Sequence, residues 1–213
     1  MRFSKACRDC PRLARFLDKV RAEHPDYYAH PVAPFGDSKP GLLVVGLAPG
    51  MHGANRSGRP FTGDFAGILL YQTLHKFGFA SAPVSTHRND GLKLKNCRIT
   101  NAVKCLPPQN KPATDEVRQC NSYLSDELKK LPRGAVILAL GGVAHQAVLL
   151  ATGSKRSAHP FAHGARHQLD NGTTLVDSYH CSRYNTNTRR LTTAMFERVF
   201  EDIAGILHTG DRA

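Results

Sequence analysis

The chain lacks a long hydrophobic run. Neither its N-terminal MRFSKACRDCPRLARFL nor any later stretch approaches the apolar length of a signal-peptide core or a membrane span. The expectation is a cytoplasmic protein without a membrane partner, in a reducing compartment where its six cysteines serve as metal ligands or reduced core thiols rather than disulfides. Acidic residues are also scarce: 17 Asp and Glu stand against 29 Lys and Arg, leaving a formal charge of +12. A polyanion is the implied partner. Internal repeats and low-complexity segments are absent, which argues against a solenoid or a disordered tail. Gly141-Gly142 follows an apolar run, but neither G-x-G-x-x-G nor a Walker lysine accompanies it, so a mononucleotide or dinucleotide turn is disfavoured.

What remains fits one domain spanning residues 1–213. Apolar runs that read as buried strands lie at Leu42–Val45, Arg98–Val103, Ala135–Leu140 and Thr174–Ser178. Helical periodicity falls on Pro11–Glu23, Phe65–Phe77, Asp115–Leu131, Val143–Leu150 and Thr192–Leu207. The alternation predicts an α/β fold with a parallel sheet. Thr192 and Thr114 are read as helix caps, and residues 208–213 as a frayed end. Lys93, Lys95, Arg98, Lys104, Lys111, Arg183, Arg189 and Arg190 are spread through loops, which favours a charged face over a basic tail.

The densest segment, residues 45–64, reads VGLAPGMHGANRSGRPFTGD and follows the LLVV run directly. Its glycines allow close backbone approach to a ligand, and its prolines stiffen the turns. His52, Arg56 and Arg59 precede Phe61 and Asp64 within it. Two further segments, Asn101 to Cys105 and His180 to Arg190, also follow predicted strands. In an open parallel sheet all three meet at the carboxyl edge. The last is rich in hydroxyl, amide and guanidinium donors, including Ser182, Arg183 and Asn185, which suit a phosphate backbone.

Cys7 and Cys10 have the spacing for one metal, and Cys105 and Cys120 supply a second pair across a proline-rich stretch. Structural zinc and an iron-sulfur cluster are both allowed, and zinc is favoured by general frequency. Cys97 and Cys181 are left over. His159, His163 and His167 stand four residues apart, but Pro160 and Gly164 break the helix that would align them, so a loop is expected.

Taken together, GLAPGMHGANRSGRPFTGD, ITNAVKCLPPQNKP, SYHCSRYNTNTRRLT and the four cysteines in order resemble the uracil-DNA glycosylase superfamily, and within it the type-5 iron-sulfur branch of bacteria and archaea. The resemblance implies a single three-layer α/β/α domain with a central four-stranded parallel sheet, and a [4Fe-4S] cluster on Cys7, Cys10, Cys105 and Cys120 in place of zinc. It implies a monomeric hydrolase that removes uracil and other deaminated bases (hypoxanthine, xanthine, etheno adducts) from double-stranded DNA in base-excision repair. The competing reading is a non-catalytic, metal-stapled DNA-binding module on the same fold. By the same resemblance Phe61 stacks on the extruded base, Asn101 reads its polar edge, His180 faces its O2, and Asp64 is the catalytic acid. Ala48, Gly50 and His52 border the base, while Arg59, Ser182, Arg183 and Asn185 contact DNA. Gly50 stands where the branch more usually has alanine, which enlarges the pocket. Cys181 stands where the superfamily has proline, which is expected to loosen its loop.

Overall fold

A computed structural model describes residues 3–210. Four strands build the centre of the sheet: β2 (Leu42–Gly46), β3 (Cys97–Asn101), β4 (Val136–Leu140) and β6 (Thr174–Ser178). They are parallel throughout, in the order β3-β2-β4-β6. Two short antiparallel edge strands, β1 (Phe35–Gly36) on β3 and β5 (Arg166–Gln168) on β6, extend the expected four strands to six. Both are too short to show a two-residue periodicity in sequence.

All five residues of β2 and all five of β4 are buried, as a sheet covered on both faces requires. Alternate side chains sort to opposite layers. Leu42, Val44, Ile99, Leu138 and Val176 pack against α3 (Phe65–Lys76) and α7 (Thr193–Gly210). Leu43, Val45, Ile137, Ala139 and Leu175 pack against α4 (Thr114–Leu128) and α5 (Gly142–Thr152). The helix α1 (Pro11–Glu23) lies outside these layers and closes a satellite core of Leu13, Val103, Cys120 and Tyr123. Two short helices, α2 (Ala54–Ser57) and α6 (Arg183–Asn187), stand inside stretches expected as loops.

Helix starts follow local chemistry, with one correction. The Thr192 hydroxyl accepts from the N–H of Met195 at 3.2 Å, as a cap does. Thr114, however, is the first helical residue of α4, and the cap is Ala113. No hydroxyl is needed there, because the Glu116 carboxylate reaches back to the Ala113 N–H at 2.7 Å. Arg12 of α1 clamps that same carboxylate at 2.8 and 2.6 Å, tying α1 to the start of α4. The terminal helix continues through 208–210, positions expected to fray; residues 211–213 lie outside the described residues.

Candidate active site

The strand β2 ends at Gly46 because nothing larger fits. A Cβ there would stand 2.5 Å from the Asn101 side-chain oxygen and 2.7 Å from the Phe61 ring. The loop beyond it folds back, and the N–H groups of Ala102 and Val103 donate to the carbonyls of Gly46 and Leu47. Asn101, at the end of β3, is thereby delivered beside Phe61. Phe61 adopts φ of 53°, an αL conformation rare for an aromatic residue that costs about 1–3 kcal/mol. Its neighbours enforce it: Tyr71 donates its hydroxyl to the Pro60 carbonyl at 2.9 Å. Gly67 lets α3 pass so close that a Cβ would fall 1.9 Å from the Phe61 carbonyl oxygen.

Asp64 caps α3. Its Oδ1 accepts from the Gly67 N–H at 2.8 Å, while Oδ2 lies 3.9 Å from where a Cβ on Gly50 would sit. Burial raises the carboxyl pKa, and the Gly67 hydrogen bond only partly opposes it. The Gly50 position has room for a methyl group, so glycine there leaves open space beside the carboxylate.

His180 follows β6, and its ring stacks on Phe61 with centroids 5.9 Å apart and planes 28° from parallel. Burial lowers its pKa to about 4, so the imidazole is neutral at pH 7 and able to donate one N–H. Three histidines grip the strand that presents it. His145 Nδ1 and His167 Nε2 lie 2.8 and 3.2 Å from the two Asp177 oxygens, and His163 Nδ1 accepts from the Tyr179 N–H at 3.2 Å. His159 and His163 do lie in a loop, whereas His167 falls in β5. The Asn185 amide donates to the His180 carbonyl at 2.8 Å, and Ser182 caps α6.

Ala48, Gly50, Phe61, Asp64, Asn101 and His180 thus border one cleft of about 420 Å³, with Ser182 and Arg183 on its rim. Phe65 and Asn110 also line it and were not singled out from sequence. The Pro107-Pro108 turn preceding Asn110, which has φ of 57°, was the only local signal. Cys181 is fully buried in the core between sheet and α7.

Two expectations need correction. His52 is exposed and bonded through Nδ1 to the Tyr27 hydroxyl at 2.7 Å; it does not border the cleft. Arg59 is 4% exposed. Its guanidinium pairs with Asp90 at 2.9 Å, bonds Thr62 and Ser85, and stacks over Phe35. It is an internal brace and is not available to a DNA backbone.

The four cysteines converge, unlike Cys97, which is buried in the sheet. Cys7, Cys10, Cys105 and Cys120 surround a pocket walled by Leu13, Val103 and Tyr123, and none forms a disulfide. Burial, then the proximity of Cys120, Glu116 and Cys7, pushes Cys10 up to about 11, and burial with the other three thiols raises Cys105 further. Four sulfurs gathered in one apolar pocket fit a cation-bearing group that takes them all as thiolates. The Lys104 N–H donates to Cys120 Sγ at 3.3 Å. The buried Lys104 ammonium bonds Glu127 of α4 at 2.6 Å, which links this corner to β3.

A family model described as the uracil DNA glycosylase superfamily matches residues 33–204. The type-5 uracil-DNA glycosylase of Thermus thermophilus is 48% identical over 199 residues, covering 91% of this chain and 90% of that protein. Those of Mycobacterium leprae and Pyrobaculum aerophilum are 42% and 40% identical, with 94% and 93% of this chain and 92% and 88% of each relative covered. On the extent of these matches, and with the motifs of residues 45–64 and 178–192 folded around a single cleft, the chain belongs to the uracil-DNA glycosylase superfamily and groups with its type-5 members.

Proposed function

We propose that the protein hydrolyses the N-glycosidic bond of uracil, and of other deaminated bases, in double-stranded DNA, acting as a monomer. One observation carries the reading: a half-buried carboxylate, a neutral imidazole, an asparagine amide without a hydrogen-bond partner among the described residues, and a strained aromatic ring face one cleft at the carboxyl edge of the sheet.

A paired base is out of reach, so it leaves the duplex at a cost of a few kcal/mol, less when it is mispaired. Phe61 then covers its face. As the C1′–N bond breaks, positive charge grows on the sugar and negative charge on the base. Asp64 Oδ2 opposes the first, or takes a proton from the water whose oxygen bonds to C1′. Asn101 and His180 favour the second by donating hydrogen bonds to the base oxygens. A neutral His180 does so without needing deprotonation. Ala48 and Gly50 offer no polar side chain, so the carboxylate falls to Asp64. Cys7, Cys10, Cys105 and Cys120 would hold a [4Fe-4S] cluster, whose part would be structural because the reaction transfers no electron; these cysteines come from the start of α1, from α4 and from the segment after Asn101.

Incubation with a uracil-containing duplex followed by alkali tests the reading. Strand breakage at the uracil is expected. Retained DNA binding without breakage would leave the metal-stapled binding module in its place.

A further inference from the structure

A second groove, of about 490 Å³, runs alongside the cleft between α3 and the segment Pro83–Thr86. The two share Asp64, Phe65 and Arg183 as a common wall. Nothing in the chemistry described above uses it. Its composition is unusual for a solvated surface: Ile68 and Val84 line it while 54% and 57% exposed. Arg56 and Arg183 also line it, and neither has an acidic partner among the described residues. Exposed aliphatic side chains lining one groove with cations that lack acidic partners mark a binding surface rather than a core or a solvated face.

The outer wall is built, not loose. Arg59, expected from sequence to touch DNA, instead holds this segment from behind. Its pair with Asp90 is nearly buried, at 4% and 11% side-chain exposure, and it bonds Ser85 at 2.6 Å. Asp90 in turn accepts from the Thr86 N–H at 2.9 Å.

We propose that this groove is a second nucleotide subsite, which holds the nucleotide adjoining the extruded one on the same strand. The inference rests on the glycosylase reading. A nucleotide whose sugar lies at Asp64 is covalently joined to its neighbours, and the strand crosses the Asp64–Phe65–Arg183 wall on one side. Extrusion strips the neighbouring base of one stacking partner. Ile68 and Val84 cover the bared face, and Arg56 and Arg183 take the phosphodiester groups. Continuity with the cleft and the sign of the charge favour a DNA strand over a protein partner.

The test is the affinity of the unmodified protein for uracil duplexes in which the base 5′ or 3′ to uracil, or the base opposite it, is replaced by a tetrahydrofuran abasic analogue. Loss of one neighbour on the uracil strand is expected to weaken binding by about tenfold, the scale of one base-stacking contact, with the other neighbour nearly silent. The double variant Ile68→Ser, Val84→Ser is expected to bind the intact duplex about tenfold more weakly and to be indifferent to that neighbour. Equal affinity of the unmodified protein for all duplexes, dependence on the opposite strand only, or a double variant that keeps full neighbour dependence would each overturn the subsite. Uracil release from the intact duplex separates the two readings: no release overturns the activity and the subsite with it, whereas release with neighbour-independent affinity overturns the subsite alone.

Discussion

The cleft at the carboxyl edge and the cysteine corner under α1 present their reactive groups by opposite means. In the cleft the backbone does the work. Phe61 is forced into αL, Asp64 is fixed by a helix N–H, and glycines at 46 and 67 permit the approach. In the corner, four thiols are pressed together in an apolar pocket, where burial and the neighbouring sulfurs raise the pKa of Cys10 and Cys105. Such a set of sulfurs suits a group that takes them as thiolates. One region is held in place by backbone and capping contacts, and the other gathers sulfurs from distant parts of the chain.

The sharpest way to break this contrast is to remove one of the four sulfurs. Cys105→Ser or Cys120→Ser is expected to abolish iron content and destabilise the fold by more than about 4 kcal/mol, roughly 10 °C or more in Tm for a chain this size. Cys97→Ser is expected to keep its iron. A Cys120→Ser protein that melts at the unmodified temperature would show that the corner stands alone.

Within the cleft, Asp64→Ala is expected to slow single-turnover excision by about 10²–10³ and to cost about 1 kcal/mol of helix capping. Asp64→Asn separates the two, because asparagine caps well: Tm should stay near that of the unmodified protein while the rate still falls. An Asn variant at full rate would reduce Asp64 to a cap. Because burial raises the Asp64 pKa, the acid limb of the rate profile should lie above the ordinary carboxylate range.

His180 offers a smaller, pH-dependent effect. Its folded pKa of about 4 lies below the ordinary histidine value of 6.5, so the unfolded chain binds the proton first as pH drops. The corresponding stability is fully present above about pH 6.5 and is lost progressively as pH falls through 4. Thermal melts across that window should show a slope that His180→Gln flattens. A slope unchanged in the variant would assign it to other groups.

The smallest effect belongs to the rim. Arg183 stacks on Phe65 at 5.1 Å and faces solvent. Arg183→Ala should weaken duplex binding and lower the slope of log affinity against log salt by about one, with less effect on bond breaking at saturation. An unchanged salt slope would remove Arg183 from the phosphate contacts.

The central strands β2 and β4 were legible because each runs apolar on both faces, and Phe61, Asp64, Asn101 and His180 because each closes a strand or its following loop. Other features were hidden by distance in sequence. Nothing near Arg59 announces that Asp90 will bury it, and nothing near His52 announces Tyr27. The edge strands β1 and β5 form because a neighbouring strand offers them hydrogen bonds, not because two or three residues prefer to be extended.

By itself the sequence determined the parallel α/β core, the carboxylate, amide, imidazole and thiol groups available for chemistry, and the excess of positive charge, since periodicity and residue type are local properties. Only the tertiary structure decided which of those charges face solvent, which polar groups are left without partners, and which apolar side chains line a second groove. Each of those depends on residues brought together across long stretches of chain, where burial and pairing, rather than identity, set what a side chain is free to do.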